Sequence, residues 1–348
     1  MIKIDHLSKN YGSITAVDDI SFEIGDGEVV GFLGPNGAGK STTMNMLTGY
    51  LSTTTGHVVI NGIDILENPI EAKRSIGYLP EQPPLYLDMT VEEYLSFAYD
   101  LKGCTYNKEK HLKEICEVVK ITDVYKRVIK NLSKGYRQRV GIAQALVGNP
   151  PIIIFDEPTI GLDPKQIIEI RNLIRMLGRD HTVILSTHIL QEVQAVCDRI
   201  IIINKGKIVA DEATENITRA VQNNRRFNVK ICGPHREVFE MLKNRPGIKY
   251  VEQLAGKDGD AYIFAIESEY GVDVRKSLYY ACVERNWPMI GLEALGMSLE
   301  DIFITIVDNT GEAKRRSQTK RPRTQRESRQ TVESTVAQEM IKNNQDRE

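Results

Sequence analysis

Residues 34–41 read GPNGAGKS, which fits the GxxxxGK[ST] pattern of a phosphate-binding loop. The loop follows an apolar run from Val29 to Leu33, which predicts a buried strand, and precedes a helical run that begins near Lys40. Glycines let backbone N–H groups turn inward around phosphate oxygens, and the start of a helix adds a favourable dipole. We therefore expect Lys40 to bridge the β and γ phosphates and the Ser41 hydroxyl to ligate Mg²⁺.

A second apolar run, Ile152 to Phe155, ends in the carboxylates of Asp156 and Glu157. The C-terminal ends of such strands form the crevice in which α/β sheets bind ligands. Alone, a strand with this ending is more often structural. Paired with the phosphate loop it is a Walker B element, in which Asp156 would hold Mg²⁺ and Glu157 would polarise the attacking water.

Strands and helices alternate over about the first 220 residues, which predicts a mainly parallel α/β sheet. Its strand candidates are residues 29–33, 152–155, 183–186 and 200–203. Between about 84 and 147 the pattern is helical only, with apolar positions three and four apart at 91–101 and 108–119, which predicts a helical insertion. The first 12 residues alternate apolar and polar side chains and predict an edge strand.

Two more motifs flank the Walker B strand: LSKGYRQR at 132–139 and STH at 186–188. Together with the phosphate loop and the Gly-Leu-Asp triplet at 161–163, they follow the motif order of an ATP-binding subunit of an ABC transporter, which the chain resembles over residues 1 to about 220. The resemblance implies a P-loop ABC ATPase with a RecA-like parallel sheet core, an N-terminal antiparallel β part and a helical insertion. It also implies ATP and Mg²⁺ as ligands.

The resemblance assigns roles position by position. Glu157 and His188 are the catalytic candidates, and His188 resembles the switch residue that contacts the γ phosphate. In this family ATP lies between two subunits, so Ser133 and Gly135 should touch the partner's nucleotide, and Asp163 resembles the residue that couples the two halves of the dimer. The residues expected to bind ATP, including an aromatic that would stack on adenine, are Tyr11, Asn36, Gly37, Gly39, Lys40, Ser41 and Thr42.

The sequence departs from the family pattern in two places. In the signature, commonly LSGGQ, Lys134 replaces a glycine and Tyr136 replaces the glutamine, while Ser133 remains. In the Q-loop, the run IGYLP at 76–80 is followed by Glu81 and then Gln82. Either of these two residues fits the glutamine position.

Residues 226–308 follow the order strand, helix, strand, strand, helix, strand and short helix, which favours a small ferredoxin-like α+β domain. Residues 309–348 are poor in large apolar side chains, and we expect a disordered basic tail. The tail holds ten Lys and Arg against six Asp and Glu, although the whole 348-residue chain has a net charge of −2. The predicted domains are thus 1–222, 226–308 and the tail.

Five separated cysteines without a CxxC pair argue against disulfides and zinc. No apolar run approaches the roughly 20 residues that cross a bilayer, so no segment is predicted to span a membrane. The resemblance to a transporter subunit implies a peripheral protein on the cytoplasmic face of the membrane. Transport would then require a separate permease and a second ATPase copy, in a homodimer. The sequence at residues 44–50, 77–81 and 132–139 most resembles that of subunits that serve ABC-2-type exporters.

The competing function is that of a soluble ABC ATPase acting on ribosomes or nucleic acid. Translation-type members usually carry two cassettes, whereas this chain has one phosphate loop and one signature. DNA-repair members usually carry a long coiled coil between the motifs, and residues 40–133 have none. A nucleic-acid partner is therefore the less favoured prediction.

Overall fold

The structure is a computed structural model that describes residues 1–217, 226–269 and 272–294. The strands of the first part are β1 (Ile2–Tyr11), β2 (Ile14–Ile24), β3 (Val29–Leu33), β4 (Thr55–Ile60), β5 (Ile63–Asp64), β6 (Ile76–Leu79), β7 (Ile152–Asp156), β8 (Thr182–Thr187), β9 (Arg199–Asn204) and β10 (Lys207–Ala213). Its helices are α1 (Lys40–Leu47), α2 (Pro69–Arg74), α3 (Val91–Leu101), α4 (Lys108–Val119), α5 (Lys134–Leu146), α6 (Pro164–Leu177) and α7 (Leu190–Val196).

The central sheet has six strands in the order β10-β9-β3-β8-β7-β6. All neighbours are parallel except β10, which pairs antiparallel with β9. Every residue of β3, β7 and β8 is buried, as expected for parallel strands covered on both faces. The predicted parallel core is thus confirmed. Each predicted strand begins and ends within one residue of the corresponding observed strand.

Strand register brings the sequence motifs to one edge of this sheet. Leu33, the last residue before the phosphate loop, pairs with Thr187, and Asp156 pairs with Ser186. Parallel strands end at the same edge, so the residues that follow β3, β7 and β8 come together.

The N-terminal sheet is antiparallel and has the order β2-β1-β4-β5. Strand β1 pairs with β2 on one side and with β4 on the other. The prediction of an edge strand at the N-terminus was therefore wrong. The alternating pattern reports one buried face, which central and edge strands of an antiparallel sheet share.

Helices α3, α4 and α5 fill the segment predicted to be a helical insertion, and the first two have the predicted bounds. Thr90 and Glu93 form a reciprocal capping box at the start of α3, and the Asn107 side chain caps α4. Helix α5 packs against strand β6 of the central sheet as well as against α3 and α4. The insertion is therefore anchored to the same sheet that carries the phosphate loop.

The C-terminal elements are β11 (Arg226–Cys232), α8 (His235–Lys243), β12 (Ile248–Asp258), β13 (Ala261–Ser268), α9 (Arg275–Glu284) and β14 (Met289–Ala294). The sheet order is β12-β13-β11-β14 with all pairs antiparallel, the arrangement of a ferredoxin-like fold. Its core includes Val229, Ile231 and Phe264 of the sheet together with Val238 and Leu278 of the helices. Strand β12 is an outer strand whose pairing with β13 is irregular between Gln253 and Lys257.

The short helix expected at 299–307, the tail at 309–348 and the proposed boundary near 222 lie outside the described residues. Among the described residues, no helix is both long and apolar enough to cross a membrane.

Candidate functional site

The phosphate loop has a backbone that glycine alone accommodates at two key positions. Gly39, directly before α1, has φ 107°, and a Cβ there would lie 2.6 Å from the carbonyl oxygen of Ala16. A Cβ on Gly34 would lie 2.4 Å from the carbonyl oxygen of Ile203. No side chain caps the first turn of α1, and no acidic residue lies in it. Its free N–H groups therefore suit an anion.

Lys40 reaches back over this loop. Its Nζ donates hydrogen bonds to the carbonyl oxygens of Gly34 at 2.9 Å and Pro35 at 3.2 Å. The same Nζ lies 3.4 Å from Oε1 of Glu157, and both side chains are only 7% exposed. The phosphate-loop cation and the Walker B carboxylate thus face one another across the site.

Asp156 ends β7 and is almost fully buried. Burial raises the pKa of its carboxyl, while hydrogen bonds from the Ser186 and Ser41 hydroxyls act in the opposite direction. The Ser186 Oγ donates to Oδ1 of Asp156 at 2.6 Å. Carboxylate and hydroxyl oxygens are ligands that Mg²⁺ accepts, so Asp156 and Ser41 fit the predicted metal site.

Glu157 has φ 49°, which is unusual for a residue with a side chain and costs of order 1–3 kcal/mol. Both of its carboxylate oxygens lie 3.0 Å from Nδ1 of His188. The backbone N–H of Glu157 donates to the carbonyl oxygen of Ser186 at 2.9 Å. The two residues predicted to be catalytic are therefore in direct contact.

Lys40, Glu157 and His188 line a cavity of about 350 Å³. Of the predicted ATP-binding residues, all but Tyr11 line it; Tyr11 lies at the end of β1, exposed, with the Lys9 ammonium over its ring. The lining residues are Ala16, Asn36, Gly37, Gly39, Lys40, Ser41, Thr42, Glu81, Glu157, Ile160 and His188. Ala16 and Ile160 were not predicted, because an apolar side chain in a loop or strand carries no chemical signal.

The two Q-loop candidates occupy different places. Glu81 lines this cavity, whereas Gln82 lines an adjoining cavity of about 660 Å³ that also contains Glu81, Ser41 and Asp156. Of the two, Glu81 is the residue that lines the cavity containing Lys40 and Glu157.

The signature residues lie elsewhere. Ser133 is exposed and caps the start of α5, accepting a hydrogen bond from the Tyr136 N–H at 3.4 Å. Gly135 is buried, and a Cβ there would meet the Gln166 side chain at 2.7 Å. Asp163 caps α6 by accepting from the Gln166 N–H at 2.9 Å. None of the three lines the phosphate-loop cavity, as expected if they serve the nucleotide of a partner subunit.

Two buried threonines and one glutamate beside the site were missed. Thr159 and Thr187 both donate hydrogen bonds to the carboxylate of Glu192. Thr187 lies within the STH motif, but no pattern in the sequence indicates that residues 159, 187 and 192 meet.

Comparison with known proteins agrees with this geometry. The family model described as ABC transporter matches residues 17–160. The uncharacterized ABC transporter ATP-binding protein YxlF of Bacillus subtilis is 32% identical over 88% of this chain and 99% of its own length. The linearmycin resistance ATP-binding protein LnrL of the same species is 37% identical over 89% of this chain and 99% of its own length. The bacitracin transport ATP-binding protein BcrA of Bacillus licheniformis is 33% identical over 79% and 92%.

Among solved structures, the dimeric ATP-binding cassette MJ0796 bound to ADP and Pi is 30% identical with a TM-score of 0.57, covering 62% of this chain and 99% of that one. The chain belongs to the ATP-binding proteins of ABC transporters. It is an ATPase that uses ATP with Mg²⁺, and such subunits work as dimers with membrane permeases. The predicted family, fold class and ATPase activity are confirmed.

Proposed function

We propose that the chain forms a homodimer on the cytoplasmic face of the membrane and drives export through a separate ABC-2-type permease. The relatives named for linearmycin resistance and bacitracin transport support this proposal because each aligns with most of this chain and not with the ATPase motifs alone.

One observation above all supports the assignment of the hydrolytic site. The buried Glu157 contacts both Lys40 and His188 at the rim of the phosphate loop. In the proposed mechanism the loop N–H groups and Lys40 hold the β and γ phosphates. Bound Mg²⁺, held by Ser41 and Asp156, would offset phosphate charge. Glu157 takes the proton of the attacking water, and His188 orients Glu157 and meets the γ phosphate.

The second half of each site comes from the partner subunit. Ser133 presents its hydroxyl at the start of α5, an exposed position that a second copy can reach. Lys134 follows it and is also exposed, so that a positive charge stands where the family usually has glycine. A helix start with a hydroxyl and a cation suits the partner's phosphates.

Exposed aromatic and aliphatic side chains in the first part of the helical insertion, just after the Q-loop, support a permease-binding surface. Tyr86 packs edge-on against both Tyr94 and Phe97, and Tyr86, Leu87 and Phe97 are each at least 40% exposed. Clustered apolar exposure of this kind marks protein-binding sites.

Replacing Glu157 with Gln tests the chemistry. The amide keeps the shape of the side chain but cannot take a proton, so turnover should fall by a factor of about 10² or more, the usual effect of losing a positioned base. ATP binding should persist, and Mg-ATP should produce a dimer in size-exclusion chromatography. Lys40→Ala is the matched control, because it should lose binding and therefore also the dimer.

Wild-type turnover in Glu157→Gln would contradict its assignment as the base. Lost turnover without a dimer would leave the base in place and contradict the sandwich arrangement.

Purification of the full chain from membranes in detergent tests the partner. We expect a polytopic membrane protein to co-purify and to be released by charged substitutions at Leu87 and Phe97. The same substitutions at Ile168, an exposed position on α6, are the control. Recovery with ribosomes or nucleic acid in place of a membrane protein would favour the competing function.

A further inference from the structure

A buried carboxylate next to the site takes no part in the mechanism proposed above. Glu192 lies in the first turn of α7, and only 1% of its surface is exposed. Its Oε1 accepts a hydrogen bond from the Thr159 hydroxyl at 2.6 Å, and its Oε2 accepts one from the Thr187 hydroxyl at 2.9 Å. Burying a carboxylate is costly unless it is paired and hydrogen-bonded, so these contacts hold Glu192 in place.

The two threonines lie close in sequence to the two residues proposed to be catalytic. Thr159 follows Glu157 by two residues, and Thr187 directly precedes His188. Both threonines are buried, at 4% and 0% exposure. The Glu192 carboxylate therefore joins the segment that follows the proposed base to the end of β8, directly before the switch histidine.

Glu192 also decides where the Thr187 proton goes. The Thr187 oxygen is 2.9 Å from Glu192 but 3.4 Å from Oε2 of Glu157. A hydroxyl has one proton to donate, and the shorter contact takes it. Glu157 then has Lys40 and His188 as its side-chain partners.

The opposite charge comes from α6. Nη2 of Arg171 lies 3.6 Å from Oε1 of Glu192. Because α6 begins at the Asp163 cap, the network extends to the element that carries the proposed dimer-coupling residue.

We propose that Glu192 is a positioning residue for ATP hydrolysis: it binds Thr159 and Thr187 together and thereby sets the spacing of Glu157 and His188. The proposal rests on the proposed function of those two residues. Glu192 itself does not line the phosphate-loop cavity.

The test compares kcat and KM for ATP in full-length Glu192→Gln, Thr159→Val, Thr159→Ser and the double variant Glu192→Gln/Thr159→Val. We expect kcat to fall about tenfold in each of the first two, with KM within about twofold of wild type, because displaced catalytic groups act on the transition state. Thr159→Ser keeps the hydroxyl and should restore most of the lost kcat. Valine has nearly the shape of threonine but no hydroxyl. The comparison of Thr159→Val with Thr159→Ser therefore measures the effect of the hydrogen bond to Glu192.

The double variant should lose about tenfold in kcat, no more than either single variant, because both changes act on the same bridge between the two threonines. The glutamine amide keeps only one of the two accepting oxygens, and valine has no hydroxyl to donate. A loss of about a hundredfold, the product of two independent effects, would overturn the proposal. So would equal losses in Thr159→Ser and Thr159→Val, or a higher KM at unchanged kcat.

Thermal unfolding separates positioning from stability. A purely structural role would lower Tm but leave kcat per folded subunit unchanged, and that result would also overturn the proposal. If Glu192→Gln fails to fold, the comparison of Thr159→Val with Thr159→Ser still tests the proposal. Wild-type hydrolysis and the Glu157→Gln result judge the proposed function separately, since neither involves a change at Glu192.

Discussion

Among single residues, Asp156 is one whose role in the site lowers the stability of the fold. Burial raises the pKa of this carboxyl, so the folded state disfavours the charged form. The unfolded chain therefore loses this proton at a lower pH than the folded chain does. The contribution of Asp156 to stability falls as pH rises through that interval and stays unfavourable at neutral pH.

We accordingly expect Asp156→Asn to raise the free energy of unfolding of the nucleotide-free protein at pH 7 by about 1 kcal/mol, or roughly 2–4 °C in Tm. The gain should shrink as pH falls through the raised pKa, and stabilisation by Mg-ATP should be lost. Thermal unfolding with and without Mg-ATP across this pH range measures all three effects. A lower Tm at pH 7 would show that the hydrogen bonds from Ser186 and Ser41 outweigh the burial of charge.

The role of a residue could be predicted from the sequence where it depends on neighbouring residues. It could not be predicted where it depends on contacts with distant parts of the chain. The phosphate loop needs glycine at 34 and 39 for steric reasons, and this constraint is visible in the sequence. The choice between Glu81 and Gln82 depends on how a loop lies over a cavity, which no neighbouring residue encodes. The contacts of Glu192 join three segments of the chain, so its position alone could not suggest them.

Among secondary-structure elements, the end of α5 depends on an unusual lysine. Lys102, just after α3, donates to the carbonyl oxygens of Val147 at 2.7 Å and Ala145 at 3.3 Å. Burial lowers the pKa of its ammonium to about 8. Between about pH 8 and the unfolded pKa near 10.5, the folded state holds fewer protons than the unfolded state, so stability rises with pH there.

We expect the stability of the wild type relative to Lys102→Met to increase from pH 8 to pH 10 by roughly 1–3 kcal/mol. Urea unfolding at several pH values measures this difference. Lys113→Met, which removes an exposed lysine of α4, controls for the general loss of a cation. A difference between wild type and Lys102→Met that stays flat or shrinks with pH would contradict the buried ammonium.

Element bounds were predictable for α3 and α4 because periodicity and capping act within a dozen residues. Strand pairing was not. Strand β1 meets β4 some 50 residues later, and this long-range pairing made a central strand of a segment whose pattern also fits an edge.

For the whole molecule, we propose the division into 1–222, 226–308 and 309–348. Among the described residues, those that line the nucleotide cavity run no further along the chain than His188, and the C-terminal sheet has its own buried core. Residues 1–222 expressed alone should therefore bind Mg-ATP with an affinity close to that of the full chain. Isothermal titration of both proteins measures this. A folded fragment that binds no nucleotide would place the boundary, or the division of labour, elsewhere.

The outer strand β12 has a consequence for how the protein behaves at high concentration. An open strand edge is a template on which other chains can polymerise. Here the edge carries Lys249, Glu252, Lys257 and Asp258, and its backbone turns at Gly256, where φ is 106°. Charge and a broken register keep neighbouring molecules from adding strands. The same irregular segment that weakens the pairing of β12 with β13 thus opposes fibre formation through this edge of the sheet.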